Sequence, residues 1–184
     1  MSPFVATITY AMSAGTVLLH VGLLVFIVAT FFSPRWREWL HERVGSHGTM
    51  VSIGIVVASI VGSLFYSVTA GFSACFVCWI VRALIYPQIV PLLAYLHQPR
   101  RWMLVASLVM SVGATFASLY QVLLQFSDVV ASICGSIPGL GDCTVEYFRI
   151  WGYINIATMS LTASAALVVC QVVTLHRKHW LQPR

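Results

Sequence analysis

Two cysteines, Cys75 and Cys78, form a C-x-x-C pair at the point where one long apolar run ends and the next begins. This spacing lets the two sulfurs close a small disulfide ring, and a helix N-terminus or a nearby cation gives such a pair its reactive thiolate character. The run after Cys78 is predicted to be a helix that carries Arg82 one turn further along on the same face. The stretch therefore predicts a reactive dithiol at a membrane surface, although half of a zinc site has the same spacing.

The composition of the chain is that of an integral membrane protein. Of its 184 residues, 59% are hydrophobic and only 8% are charged, whereas a soluble domain carries about 25% charged residues. The net charge is +5, and in a membrane protein a basic excess more often reports cytoplasmic loops than nucleic-acid binding. We therefore expect a protein embedded in a lipid bilayer, with no nucleic-acid partner.

Five apolar runs are long enough to span a bilayer, since each spanning helix needs roughly 20 residues. The first run has no basic residues before it and is longer than a signal-peptide core, so we expect a true span there. Between the first two runs, the segment 34–48 contains Trp36 and Trp39 and is predicted to be a short interfacial helix, because tryptophan prefers the membrane interface. The predicted spans cover residues 11–33, 49–71, 79–97, 102–125 and 151–175.

The basic residues predict the orientation of the chain in the membrane. Eight of the ten lysines and arginines fall on one side of the predicted spans: Arg35, Arg37, Arg43, Arg100, Arg101, Arg177, Lys178 and Arg184. The positive-inside rule then puts the C-terminus in the cytoplasm and the N-terminus outside. Four cysteines, Cys75, Cys78, Cys134 and Cys143, are consequently expected on the outer face, where disulfides persist.

The second cysteine pair, Cys134 and Cys143, lies in the loop between the last two predicted spans. Between these cysteines stand the turn-forming residues Gly135, Pro138, Gly139 and Gly141. Such a loop can bring the two sulfurs together, either as a mobile dithiol that exchanges with Cys75 and Cys78 or as a static disulfide that pins the loop. A zinc site of four cysteines is a third alternative, which the uneven spacing disfavours.

Two dithiols on one face form a relay if the pair at the membrane edge can pass on two electrons. Thiol–disulfide exchange needs a nucleophilic sulfur that reaches a disulfide, and a mobile loop supplies that reach. A lipid-soluble quinone can arrive sideways through the bilayer. Arg82 can then polarise a quinone oxygen or stabilise the neighbouring thiolate, since ionisable residues within a membrane are functional candidates by default. Its alternative role is to snorkel to the lipid headgroups.

Two stretches of the chain resemble a known family. Cys75-Phe-Val-Cys78-Trp-Ile-Val-Arg82, which continues to Tyr86-Pro87, resembles the DsbB family of disulfide-forming membrane proteins and is most similar to its BdbC-like branch. Cys143-Thr-Val-Glu-Tyr147, followed by Trp151-Gly-Tyr153-Ile-Asn-Ile156, resembles the second cysteine segment and the start of the last span in that branch. The resemblance covers about residues 50–175.

The resemblance implies an all-α integral membrane protein with a four-helix bundle in the cytoplasmic membrane. It implies oxidation of a DsbA-like, thioredoxin-fold partner, with electrons passed on to ubiquinone or menaquinone. By the same resemblance, Cys78 lies next to the quinone, Cys75 exchanges with the pair Cys134 and Cys143, and Arg82 supports the quinone. The chain would then divide into an additional span with its interfacial segment, residues 1–48, and a DsbB-like bundle, residues 49–184.

Three features depart from the family pattern. The first span is additional, so we expect five transmembrane helices in place of four. Val81 stands where the family usually has Gln or Glu before the arginine. Gln121 stands where a similar family stretch has His, and a neutral amide can hydrogen-bond a quinone oxygen but cannot become a cation. The alternative role for Gln121 and Gln125 is an interhelical hydrogen bond.

The cysteines allow two other interpretations. A vitamin K epoxide reductase-like quinone reductase also combines C-x-x-C with loop cysteines, but in that family the loop pair precedes the C-x-x-C and here it follows. A non-enzymatic membrane scaffold would use both pairs as structural disulfides, which the placement of Arg82 beside Cys78 disfavours. Cys170 lies mid-span without a partner and is expected to be inert, and His20 in the first span is assigned no role.

Overall fold

The computed structural model describes residues 2–32, 34–126, 143 and 145–181. Within these ranges the regular structure is helical, and the one β-bridge is an isolated pairing of Ile150 with Ile154. The helices are α1 Pro3–Phe32, α2 Pro34–Leu64, α3 Phe76–Ile85, α4 Ile89–His97, α5 Arg101–Phe126 and α6 Ile156–Leu181. The predicted all-α fold is confirmed.

Five helical segments of the described chain are long and apolar enough to cross a membrane, as predicted. They are Pro3–Thr30, His47–Thr69, Phe76–His97, Arg101–Phe126 and Ile156–His176. The first begins eight residues before the predicted start at residue 11. The segment 34–48 is not a separate interfacial helix, because α2 begins at Pro34 and runs on without a break into the second span. Proline fits the first turn of a helix, where its missing N–H is not needed.

The last span starts at Ile156 instead of the predicted 151, because the preceding residues form a tight turn. Trp151 and Gly152 both have positive φ, 50° and 79°, which a continuing α-helix does not allow. Asn155 then caps α6: its Oδ1 accepts a hydrogen bond from the backbone N–H of Thr158 at 2.9 Å, and the Thr158 hydroxyl accepts one from the N–H of Asn155 at 2.8 Å. This reciprocal cap fixes where the helix begins.

The second and third spans each contain one irregular turn. A π-helical segment, Phe65–Thr69, ends the second span, and such wider turns occur frequently at functional sites. In the third span, a 3₁₀ turn over Tyr86–Gln88 separates α3 from α4, because Pro87 cannot donate a backbone hydrogen bond. The Gln88 amide donates to the Leu84 carbonyl at 2.9 Å, which satisfies an acceptor at this break.

Four fully buried polar side chains hold the third span, α5 and α6 together. We call them the glutamine–serine cluster: Gln88, Ser107, Ser111 and Gln171. Ser107 and Ser111 donate to Gln88 Oε1 at 3.1 and 2.9 Å, and Gln171 Nε2 donates to Ser107 Oγ at 3.0 Å. Small polar residues let the helices approach closely and hydrogen-bond within lipid, so this cluster fixes their register.

The additional helix, α1, packs against α2 and α6. Its buried face consists of Val5, Thr9, Ser13 and Thr16, at the spacing of successive helical turns. The other faces of α1 are largely exposed and apolar, as expected for a helix in contact with lipid. The first span is therefore docked on the bundle.

Candidate redox site

The C-x-x-C pair lies at the beginning of α3, as its sequence context predicts. Cys75 is the N-cap residue, with extended backbone at φ −77° and ψ 171°, and its carbonyl accepts the first helical hydrogen bond, from Trp79 N–H at 3.1 Å. Cys78 lies in the first turn, where the backbone N–H groups lack helical partners and the helix dipole favours negative charge. The two Sγ atoms are 3.1 Å apart, and both cysteines are free thiols.

Gln121 on α5 contacts both sulfurs of this pair. Its amide Nε2 lies 3.1 Å from Cys78 Sγ and 3.7 Å from Cys75 Sγ, and the side chain is buried. An N–H group directed at a sulfur stabilises the thiolate more than the thiol, since only the charged form is a strong acceptor. Gln121 therefore joins α5 to the dithiol at the start of α3.

Cys143 is buried against Cys75 in a cluster with Val77 and Leu124, and it is also a free thiol. The pKa of the Cys75 thiol is raised, first by its hydrogen bond with the Cys78 thiol, then by burial, and further by a hydrogen bond with Cys143. Cys75 is thus favoured as the protonated member of the group. Cys134 lies outside the described residues, so its pairing with Cys143 stays a prediction.

Arg82 is hydrogen-bonded to the end of the second span. Its Nε donates to Ser63 Oγ at 2.8 Å, and its Nη2 donates to the Ser63 carbonyl at 3.2 Å and to Ser67 Oγ. The guanidinium also lies over the Trp79 ring, 5.2 Å from its centroid. A guanidinium has five N–H donors, so the two on Nη1 remain without a hydrogen-bond partner among the described residues.

A polar network fixes the chain just after Cys143. Gln125 Nε2 donates to the Cys143 carbonyl at 3.4 Å, and Asn155 Nδ2 donates to Gln125 Oε1 at 2.9 Å and to Glu146 Oε1 at 2.8 Å. Glu146 also pairs with Arg149 Nη2 at 2.7 Å. Partial burial acts to raise the pKa of the Glu146 carboxyl, but the hydrogen bonds from Arg149 and Asn155 outweigh it and leave that pKa below its usual value.

Aromatic rings connect this segment to the chain that precedes the dithiol. Phe72 and Tyr147 stack in parallel, with centroids 4.3 Å apart, and Phe72 also stacks on Tyr66. The Tyr147 hydroxyl accepts from Ser73 N–H at 2.9 Å and donates to the Ser73 carbonyl at 3.2 Å. Because Ser73 is two residues before Cys75, these contacts position both segments that carry the thiols.

Several residues of this site are not predicted from the sequence. Ser63 and Ser67 are four residues apart near the end of the second span, a spacing that was available as a signal. Glu146 and Asn155 stand within the stretches that carry the family resemblance, but no role was attached to them. For Gln125 the sequence offered an interhelical hydrogen bond as an alternative role. In the structure its Oε1 accepts from Asn155 Nδ2, and its Nε2 donates to the Cys143 carbonyl.

A cavity of about 390 Å³ opens beside the dithiol. We call it the redox cavity. Its lining includes Cys75, Cys78, Cys143, Arg82 and Gln121, together with apolar side chains such as Leu19, Ile55 and Ile85. Pockets for small molecules are usually about 300–1,000 Å³ and mostly apolar, with a few placed polar groups. These residues fit a quinone: the free donors on Arg82 Nη1 suit a carbonyl oxygen, and the apolar wall suits the ring and its tail.

The sequence of the chain is similar to those of known disulfide formation proteins. Residues 46–174 match the model of the family described as disulfide bond formation protein DsbB. The chain is 28% identical over 127 residues to the probable disulfide formation protein C of Halalkalibacterium halodurans, covering 66% of this chain and 88% of that protein. It is 28% identical over 142 residues to the probable disulfide formation protein C 1 of Bacillus anthracis, covering 74% and 98%. No solved structure matches the chain.

Proposed function

Because the chain belongs to the DsbB family of disulfide bond formation proteins, we propose that it is a quinone-dependent thiol oxidase that reoxidises a DsbA-like, thioredoxin-fold dithiol partner. The family makes the chain a disulfide-forming membrane oxidoreductase, and the electron acceptor and the partner are the proposal. One observation carries it above the others: Cys78, Gln121 and Arg82 face the same cavity. The order of the two cysteine pairs and the family match both disfavour a vitamin K epoxide reductase-like protein.

The proposed electron path has two exchanges and one oxidation. The partner's two thiols reduce a Cys134–Cys143 disulfide, and the partner leaves as a disulfide. The loop dithiol then reduces a Cys75–Cys78 disulfide, for which the burial of Cys143 against Cys75 gives support. A bound quinone would accept the two electrons and two protons of the Cys75 and Cys78 thiols. Each cycle thus closes one disulfide in the partner and leaves the chain unchanged.

The residues around the dithiol have distinct proposed roles. Cys78 faces the acceptor, and the first turn of α3 and the Gln121 amide stabilise its thiolate. Cys75 carries the proton, in agreement with its raised pKa, and in the disulfide form its sulfur is the one that a thiolate of the loop pair attacks. Ser63 and Ser67 orient Arg82, whose free Nη1 donors bind an acceptor oxygen.

The proposal includes the orientation and the division of the chain. The basic residues favour an N-terminus outside, a cytoplasmic C-terminus and a redox site on the outer face of the cytoplasmic membrane. The family match begins at residue 46, which supports a boundary between an additional segment, residues 1–48, and a bundle, residues 49–184. This boundary lies within α2, so it separates parts of one helix.

The orientation can be tested with single reporters in a chain whose five cysteines are replaced by serine. Val145→Cys and Arg100→Cys place an exposed thiol at opposite ends of the bundle. A membrane-impermeant thiol reagent applied to intact cells should label the first and not the second. The reverse result would contradict an outer redox site.

The function itself is tested with the purified full-length protein, a reduced thioredoxin-fold dithiol protein, and ubiquinone or menaquinone analogues. We expect one quinone to be reduced for each partner disulfide formed, as followed by quinone absorbance and by titration of partner thiols. Cysteine pairs that stay oxidised in the presence of the reduced partner would show structural disulfides and a scaffold. Partner oxidation without quinone consumption would exclude the quinone as acceptor.

A further inference from the structure

The additional helix α1 forms part of the wall of the redox cavity. The family match covers residues 46–174 and so leaves α1 outside it. Four α1 residues nevertheless line the cavity that also exposes the dithiol: Met12, Gly15, Thr16 and Leu19. The cavity is therefore completed by a helix that the family pattern does not contain.

Specific contacts fix α1 in this position. Ser13 and Thr16 are buried, and their hydroxyls donate to α1 carbonyls one turn back, at 2.8 and 3.0 Å, so no donor is lost at the interface. Met12 lies over Gly62 of α2, where an added Cβ would come within 2.5 Å of the Met12 methyl group. The glycine thus permits the close approach of the two helices.

A hydrogen bond from His20 ties α1 to α6. His20 Nε2 lies 2.6 Å from Thr162 Oγ1, and the Thr162 hydroxyl already donates its proton to the Thr158 carbonyl at 2.8 Å. A hydroxyl has a single proton to give, so Thr162 accepts and His20 Nε2 is the donor. His20, which the sequence left without a role, therefore anchors the wall.

The α1 residues that line the cavity present a largely apolar surface, since the Thr16 hydroxyl already donates to the Met12 carbonyl. Leu19 of α1, Ile55 of α2 and Ile85 of α3 add apolar side chains to the lining of the same cavity. Ile85 is seven residues beyond Cys78, which corresponds to about 10 Å along a helix at 1.5 Å per residue. An acceptor ring next to Cys78 and Arg82 would leave this apolar space for the substituent that follows the ring.

We propose that α1 forms the binding site for the first part of the isoprenoid tail of the quinone, next to the ring. This inference rests on the proposed function, because it assumes that a quinone is the acceptor. In it, the additional span is part of the acceptor site and increases affinity for tailed quinones over tail-free ones. Arg82, Gln121 and the dithiol act on the ring alone.

Gly15 provides a direct test, because a side chain can be added there without a clash. A Cβ built on Gly15 meets no atom within 4 Å, and Gly15 lines the cavity. A leucine at this position would occupy space that the tail needs. Gly22, two turns further along α1, also has no atom within 4 Å of an added Cβ but does not line the cavity, so Gly22→Leu is the matched control.

The experiment compares wild type, Gly15→Leu and Gly22→Leu with a quinone that carries a long apolar tail and with a tail-free benzoquinone. We expect Gly15→Leu to raise the KM for the tailed quinone by about tenfold, the effect of losing roughly two buried methylene groups. The KM for the tail-free quinone and the single-turnover rate of partner exchange should stay close to wild type. Gly22→Leu should match wild type in every assay.

Three outcomes distinguish the possible failures. Equal kinetics of Gly15→Leu and Gly22→Leu would overturn the tail site while leaving quinone reduction by wild type intact. An equal rise of KM for both quinones would also overturn it, since the added side chain would then exclude the ring. Absence of quinone reduction by wild type would instead overturn the proposed function. If Gly15→Leu does not fold, Leu19→Ala tests the same wall by removing apolar contact, and it should weaken only the tailed quinone.

Discussion

The bundle holds two clusters of buried polar side chains, one around Gln88 and one around Cys78. In the glutamine–serine cluster the side-chain donors and acceptors bond one another or a backbone carbonyl, at 2.9 to 3.4 Å. Around the dithiol, the two donors on Arg82 Nη1 and the buried Tyr86 hydroxyl, on a residue that lines the redox cavity, have no partner among the described residues. The first cluster is complete in itself, whereas the second leaves donors unfilled at the edge of a cavity.

This difference separates a structural role from a functional one by physical means. An unsatisfied buried polar group costs about 1–3 kcal/mol, so each one calls for an explanation. The buried Ser52 hydroxyl is also without a partner among the described residues but does not line the cavity, so only an unfilled group at the cavity indicates a ligand. Both clusters have polar residues within apolar spans, and composition alone does not tell them apart. Only the count of unfilled hydrogen bonds and the adjoining cavity do so.

Cys78→Ser should have the largest effect of the changes that separate the two clusters. A serine oxygen cannot replace the sulfur in thiol–disulfide exchange, so quinone-coupled oxidation of the partner is expected to fall to the uncatalysed background. The thermal unfolding midpoint should change little. The matched control is Cys170→Ser, which makes the same exchange of atoms in α6, away from the cavity, and should keep wild-type turnover. Activity in Cys78→Ser would contradict the site.

Arg82 comes next, because its unfilled donors are charged. Hydrogen bonds to charged groups contribute about 1.5–3 kcal/mol, so Arg82→Met should raise the quinone KM by about 10- to 100-fold. Arg82→Lys keeps the charge, loses the planar fork of donors, and should fall between wild type and Met. Single-turnover exchange with the partner should stay near the wild-type rate in both variants. Equal quinone kinetics in the three proteins would show that Arg82 serves only to join α2 and α3.

A pair of identical substitutions compares the two clusters directly. Gln171→Leu leaves Ser107 and Ser111 with fewer partners in an apolar interior, so the free energy of unfolding should fall by about 1–3 kcal/mol with the quinone KM unchanged. Gln121→Leu removes the amide from the Cys78 sulfur, so it should slow turnover with a smaller loss of stability. Thermal unfolding and steady-state kinetics measure both. The opposite pattern would reverse the roles of the clusters.

Tyr86→Phe removes a buried hydroxyl at the cavity that has no partner among the described residues, and it changes no other atom. If that hydroxyl donates to the acceptor, its loss costs one neutral hydrogen bond, and the quinone KM should rise by about two- to tenfold. The unfolding midpoint should stay equal or rise, because a buried unpaired group is removed. Tyr10→Phe on the lipid-exposed face of α1 is the control. An unchanged KM in Tyr86→Phe would show that the hydroxyl is not part of the acceptor site.

Residues close to the dithiol in sequence predicted its position, whereas the contacts between residues distant in sequence are visible only in the structure. The C-x-x-C spacing and the following apolar run predicted a pair at a helix start, and Arg82 at i, i+4 from Cys78 predicted a shared face. One partner of Arg82, Ser67, lies in the π-helical turn Phe65–Thr69, which the composition of the second span does not signal. Two roles stayed open for Gln121, hydrogen bonding at the redox site or between helices. A single glutamine in a span gives the same sequence signal in both cases.

The role of α1 was likewise hidden in a pattern that is not specific. Thr9, Ser13, Thr16 and His20 recur at helical spacing, but small and polar residues are found in all five spans, so their recurrence does not identify a docked face. The family pattern has no equivalent helix. The contact of α1 with the cavity follows from the packing of α1 against α2 and α6. This packing joins residues more than 40 positions apart in sequence.

The smallest expected effect is a pH dependence of stability. It concerns the network of Gln125, Asn155, Glu146 and Arg149 that is hydrogen-bonded to the Cys143 carbonyl. The pKa of Glu146 lies below its usual 4.5, so the ionised carboxylate stabilises the fold at all pH values above that range. This contribution is lost only as the pH falls through the lower pKa of the folded state. The unfolding midpoint of Glu146→Gln should therefore lie slightly below that of wild type by a constant amount between pH 8 and pH 5, and the difference should shrink on further acidification.

The comparison of wild type with Glu146→Gln is clean because the whole chain has only five acidic residues, and the difference between the two curves removes the contribution of the other four. The amide keeps an oxygen for the Asn155 Nδ2 hydrogen bond and loses the charge that faces Arg149, so the variant isolates the ion pair. An exposed ion pair contributes little, and its loss should be smaller than that of Gln171→Leu. A difference that grows below pH 4 would contradict a lowered pKa, since it would mean that the protonated carboxyl is the form bound by the fold. A constant difference at all pH values would show that Glu146 acts through its shape and hydrogen bonds, and Cys143 would then be positioned without help from charge.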